Sequence, residues 1–113
     1  MQFTEGFNIS LDPGDSLPEI VVQPQDVTVP AAQNRCYFSL NVVASGNRYF
    51  QWYKNAVVVA DDGTTVIGSQ NNVLQILDPS AVADSTGTAD FYCIVNNAAG
   101  TVQSDTVTLT VTP

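Results

Sequence analysis

Cys36 and Cys93 are the strongest nucleophiles this chain has, and Asp84 and Asp90 come nearest to a paired-carboxylate acid and base. A thiol attacks only as its thiolate, with a base beside it. The sequence contains no histidine, so the usual general base, proton shuttle and metal ligand are missing together. Cys93 also falls on the apolar side of an alternating run, Ala89, Phe91, Cys93, Val95, where a thiol is a packing group. Asp84 and Asp90 imitate a glycosidase dyad, but a domain this small offers no obvious cleft for a sugar ring there. They read as solvated loop acids. Asp61-Asp62-Gly63 has two acids of a calcium corner without the alternating acids that complete a calcium loop, and reads as a turn. Asn8-Ile9-Ser10 is formally a glycosylation sequon, which has meaning only in a secreted protein. No enzyme activity, cofactor or metal is expected.

The composition points away from other classes as well. The chain has 113 residues, of which 44% are apolar and 12% charged, which suits one domain around one core. Eleven acids face only Arg35, Arg48 and Lys54, for a net charge of −8. Nucleic acid and anionic membrane both require clustered Lys and Arg, so neither is expected as a partner. No apolar run is long enough to cross a bilayer. Met1 to Gly6 has no basic or apolar stretch of a leader, which predicts synthesis in the cytosol or a start Met placed before an excised fragment.

The elements that position these residues are strands. From Ile20 onward, short β-rich runs alternate with turn residues and no helical periodicity appears. Ile20 to Val29 reads as a first strand, confined to an edge by Pro24. In Arg35 to Ala44, the residues Cys36, Phe38, Leu40, Val42 and Ala44 share one face. Arg48 to Lys54 puts Phe50 and Trp52 on one side and Tyr49, Gln51 and Tyr53 on the other. Val57-Val58-Val59, Asp61-Asp62-Gly63 and Thr64 to Ile67 read as a hairpin. Leu74 and Ile76 form the next inward pair, Val82 plugs a crossover from Asp78 to Gly87, and Val107, Leu109 and Val111 close the sheet. The expected core is Trp52, Phe91, Cys93, Leu40 and Val42, in an all-β Greek-key sandwich of two sheets. Residues 1–19 stand apart as an extended N-terminal arm, with Pro13-Gly14 as a turn signal.

Residues 20–113 carry Tyr49-Phe50-Gln51-Trp52-Tyr53-Lys54-Asn55, then Ala89-Asp90-Phe91-Tyr92-Cys93, then Thr106-Val107-Thr108-Leu109-Thr110-Val111. In this order they resemble the immunoglobulin-like family: the strand with the buried Trp, the strand with the second Cys, and the last strand. The resemblance covers about four-fifths of the chain and implies an immunoglobulin-like two-sheet sandwich. Two departures stand out. Phe91 replaces the tyrosine usual two before the Cys, and Gly87 replaces the aspartate usual six before it. The family's first Cys lies about a dozen residues before the Trp, whereas Cys36 lies sixteen before Trp52. Leu40 or Val42 then faces Cys93, and Cys36 is about 13–20 Å along the strand. A disulfide needs Cα atoms within about 7 Å, so two free thiols are favoured, although a slip or bulge would restore a bridge.

The sparse cysteines, Tyr-x-Gln-Trp-Tyr-Lys-Asn and the closing Asn-x-Ala-Gly-Thr-Val-Gln-Ser look most similar to immunoglobulin-like domains of tailed-bacteriophage virion proteins. That resemblance implies a capsid decoration protein made in the host cytoplasm and displayed on the virion surface. It would contact a capsid or other virion protein in many copies on a symmetric lattice, with weak carbohydrate binding. The alternatives are an extracellular adhesion-type module excised from a receptor, and a bacterial surface domain. Two residue sets are candidates for partner contact. Phe3, Phe7, Ile9 and Leu11 make the arm too apolar for a solvent tail. Tyr49, Tyr53, Tyr92 and Ile94 point outward, and rigid aromatics with a polar tip are what binding surfaces use.

Overall fold

Alternation dictates the longest strand of the computed structural model, which describes residues 16–31, 35–44 and 46–113. The arm residues Phe3, Phe7, Ile9 and Leu11 and the sequon at Asn8 lie outside the described residues. The strands are β1 (Glu19–Val22), β2 (Val27–Pro30), β3 (Cys36–Ser39), β4 (Asn41–Val43), β5 (Tyr49–Lys54) and β6 (Val57–Val58). They continue with β7 (Val66–Ile67), β8 (Val73–Ile76), the single helical turn α1 (Pro79–Val82), β9 (Thr88–Asn97), β10 (Gly100–Gln103) and β11 (Val107–Thr112). In β9 every second residue from Ala89 to Val95 is buried, as a half-buried strand requires.

The front sheet runs β2-β11-β9-β5-β6, with β10 paired to the far part of β9. All its pairings are antiparallel except β2 with β11, which is parallel, Val27 opposite Leu109 and Pro30 opposite Thr112. The back layer holds two ladders, β1-β4 and β3-β8-β7. Aromatic contacts join the layers: the Phe38 ring lies 6.3 Å from Trp52 and 5.2 Å from Phe91. Leu40, Leu74, Ile76, Cys93, Val95 and Leu109 complete the core, with Val42 half-buried beside it.

β10 and β11 are one strand interrupted by a bulge at Ser104-Asp105-Thr106. Ser104 is buried and satisfies the interruption. Its N–H donates to the Cys93 carbonyl at 2.8 Å, and its hydroxyl accepts from the Cys93 N–H at 2.9 Å and donates to the Asp105 carbonyl at 3.0 Å. The ladder therefore loses no buried hydrogen bond there.

Three expected strands are arranged differently. Ile20 to Val29 is not one edge strand: β1 pairs with β4 in the back layer, and β2 pairs with β11 in the front. Pro24 has no N–H to continue a ladder, and flanking side chains carry the chain across. Gln23 Oε1 accepts from the Asp105 N–H and Asp26 Oδ1 from the Thr108 N–H, both at 2.9 Å. Arg35 to Ala44 divides at Leu40, whose N–H donates to the Asn72 carbonyl at 3.1 Å. The 57–67 segment is not a hairpin, because β6 pairs with β5 in front while β7 pairs with β8 behind. Asp62 makes the transfer. Its carboxylate accepts from the N–H groups of Thr64, Thr65 and Val66, at 2.9, 2.7 and 3.0 Å, and turns the chain from one layer to the other.

Candidate interaction surface

Antiparallel register brings the outward tyrosines together. β5 and β9 pair with Tyr53 opposite Tyr92, Gln51 opposite Ile94 and Tyr49 opposite Asn96. Trp52 and Cys93, opposite each other and buried, fix the alternate positions to the outer face. There the Tyr53 and Tyr92 rings stack with centroids 5.1 Å apart and planes 12° from parallel. Tyr49 stands 61% exposed beyond them. Ile94 lies half-buried in the adjacent row. The result is a pre-ordered aromatic face, in which two side chains have already surrendered rotamer freedom to each other.

Val58 belongs to this face and was missed in the sequence. It sits opposite Tyr53 on β6 and is 54% exposed. A run of three valines carries no alternation, so nothing local marks which one points outward. The hairpin that delivers Val58 turns through Asn55 and Ala56, both at positive φ (49° and 69°), the geometry that matches the twist of a two-residue loop. Asn55 Oδ1 accepts from the Asp90 N–H at 3.0 Å and holds that loop to β9. Gln51, between the tyrosines, turns its amide to the strand edge, where Nε2 donates to the Val59 carbonyl at 3.0 Å.

Asp84 is occupied in a turn, whereas Asp90 lies within β9 and not in the loop expected for it. Asp84 Oδ1 accepts from the Thr86 N–H at 2.9 Å and from the Thr86 hydroxyl, while Asp90 Oδ1 accepts from the Thr108 hydroxyl at 2.9 Å. Asp90 does not line the 300 Å³ hollow beside Asp84. The Thr86 hydrogen bonds hold the Asp84 carboxyl below its ordinary value, the reverse of what a general acid requires. Asp62 is held well below the usual carboxylate range by Thr65, and Asp61 lies below it through the Ser69 N–H. Among the described residues, no group of three or more His, Cys, Asp or Glu is placed to hold a metal. Because these three carboxyls release their protons more readily in the fold than in the unfolded chain, their contribution is complete above the unfolded carboxylate range. It is lost as pH falls through their folded values. Melting temperature should therefore be level near neutrality and decline below about pH 4. The decline should be shallower in Asp62→Ala, as thermal melts across that range would record.

Cys36 and Cys93 are free thiols. Cys93 is fully buried opposite Trp52, and burial pushes its thiol up to about 12. Cys36 is half-buried in the back layer opposite Ile76, and burial raises it too. Neither is a thiolate at neutral pH, so neither is poised as a nucleophile. Reductant should leave the melting temperature unchanged, whereas losing a native bridge would cost about 2–5 kcal/mol; paired melts with and without reductant check this.

No protein-family model matches the sequence, and no curated protein matches it significantly. Solved structures do. Titin M4 superposes with a TM-score of 0.71 at 25% identity, over 87% of this chain and 98% of that one. Extracellular domains 3–5 of Drosophila OTK give a TM-score of 0.66 at 18% identity, over 86% of this chain and 32% of that one. Immunoglobulin domains 1–5 of Sidekick-1 give 0.67 at 16% identity, over 85% of this chain and 20% of that one. The last two contain several domains, and this chain spans a third or less of each.

Proposed function

We propose, from the premise that the chain folds as an immunoglobulin-like β-sandwich, that it is a non-enzymatic interaction module of a larger adhesive or structural assembly. Its contact surface is the Tyr49, Tyr53, Tyr92 and Ile94 face, extended by Val58. The observation that carries this reading is the Tyr53–Tyr92 stack, a rigid aromatic pair set on the outer face of the front sheet. Aromatics ordered before contact lose little entropy on binding. The OTK and Sidekick-1 likenesses support a modular role, since each matched chain holds several domains and this chain spans a third or less of it. The test is an array of proteins and glycans probed with the native chain and with Tyr49→Ala/Tyr53→Ala/Tyr92→Ala. Binding that the triple variant loses while it keeps its melting temperature supports the reading. Binding that the triple variant retains overturns it.

The free thiols favour a second, finer reading. A sandwich without a bridge suits assembly in a reducing cytoplasm, as in a capsid decoration protein that docks through residues 1–19 and displays its sheet face outward. Many copies on a lattice would then multiply weak carbohydrate binding into useful avidity. Deleting residues 2–15 distinguishes this reading: loss of attachment to undecorated particles at unchanged melting temperature supports it, and full attachment of the truncated chain overturns it.

A further inference from the structure

The departure of the chain from the back layer at Val22 leaves a gap. β1 covers the edge of β4, then crosses to the front sheet as β2. The β3 strand, next along the same edge, is paired among the described residues on one side only, to β8. Beside it a groove of about 850 Å³ opens between the layers. Val22, Val27, Val29, Cys36, Phe38 and Ile76 are among its walls. An unpaired strand edge over an apolar groove accepts one kind of ligand: an extended segment with apolar side chains at every second position. Its backbone completes the ladder, and its apolar face fills the groove.

This chain carries such a segment. Phe7, Ile9 and Leu11 alternate with Asn8 and Ser10, and five extended residues span about 13 Å, enough to run the length of β3. Reach decides whose copy supplies it. The chain enters the described fold at Ser16, where the Asn97 side chain donates to its carbonyl at 2.7 Å. The groove begins six residues further on, at Val22, about 20 Å along the edge. Leu11 precedes Ser16 by only five residues, about 17 Å at full extension, so in its own copy it falls short of the groove. The same segment of a neighbouring molecule has no such tether. We infer that Phe7–Leu11 of one copy adds as a strand to the open edge of β3 in a second copy, with Phe7, Ile9 and Leu11 in the groove. The inference stands apart from the tyrosine face, which lies on the other sheet.

Each copy offers one segment and one groove, so the contact is head-to-tail and propagates into a ring or an open chain. Both partners carry a net charge of −8, so added salt should strengthen the association by screening their repulsion.

Cys36, in the groove wall, provides the trap. The full chain is prepared as Phe7→Cys, Ile9→Cys and Leu11→Cys, with Asn8→Cys as the wrong-parity control. Each is oxidised with diamide at micromolar to millimolar concentration, with Trp52 fluorescence confirming the fold. At least one of the three apolar-position variants should form an intermolecular bridge to Cys36, mapped by peptide mass. Its yield should exceed that of Asn8→Cys about ten-fold, since a bridge forms only when the two side chains face each other. The bridge should vanish when Cys36→Ser is added. Mixing isotope-labelled and unlabelled chains identifies the donor. Bridges confined to a single chain show the arm lying in its own groove and overturn the inference. Equal yields from Asn8→Cys and Ile9→Cys, or no bridge at any concentration, overturn it as well.

Discussion

Trp52→Ala should lower unfolding free energy by about 3–5 kcal/mol, a large part of the total for a domain of this size. The side chain is completely buried, stacks toward Phe38 and stands opposite Cys93 in the ladder. Its Nε1–H also donates to the Asn71 carbonyl at 2.8 Å, tying the front sheet to the turn before β8. Alanine leaves a void where this ring packs with Phe38 and Phe91 between the two sheets. Trp52→Phe keeps most of the volume and loses the hydrogen bond, so it should cost clearly less. Urea titrations of the three proteins would show the order. A near-native midpoint for Trp52→Ala would mean that the ring does not join the layers.

The second large effect should come from a single methyl group. Gly68 links β7 to β8 at φ +84°, and a Cβ placed there would lie 2.4 Å from the Val73 carbonyl oxygen. The obstacle is backbone, and Val73 is held by its pairing with Ser39. Gly68→Ala combines the left-handed penalty with a forced shift of the β8 ladder, for a loss of about 2–4 kcal/mol. Gly63→Ala is the matched control. Its φ is nearly the same, at +75°, but nothing lies within 4 Å of the added carbon, so it should lose only about 1 kcal/mol. Equal losses at the two positions would show that conformation, not the close approach, governs Gly68.

Alternation makes the buried faces of the 36–44 and 89–95 runs legible in the sequence, because a strand with one wet face repeats its pattern every two residues. The outward position of Tyr49, Tyr53 and Tyr92 followed from the same parity. Sheet membership did not follow. Alternation says which way a side chain points and nothing about which layer the strand has joined. The crossing at Pro24 is made by side chains that bond to distant backbone: Gln23 to Asp105, and Asp26 to Thr108. Such bonds connect residues some eighty positions apart, so no local window contains both partners. The groove beside β3 was hidden for the same reason, since it exists only because β1 and β2 belong to different layers.

The parallel pairing of β2 with β11 has a mechanical consequence. Val27 opposite Leu109 and Pro30 opposite Thr112 mean that the first strand of the front sheet and the last strand of the chain point the same way. Tension applied through the two ends pulls Val27 backward and Thr112 forward along their common axis. The inter-strand bonds then resist in shear, all at once, instead of opening one by one from an end as a peeled hairpin does. With no covalent link between the layers, this short parallel patch is the clamp that a stretched chain would have to break before the sandwich could extend.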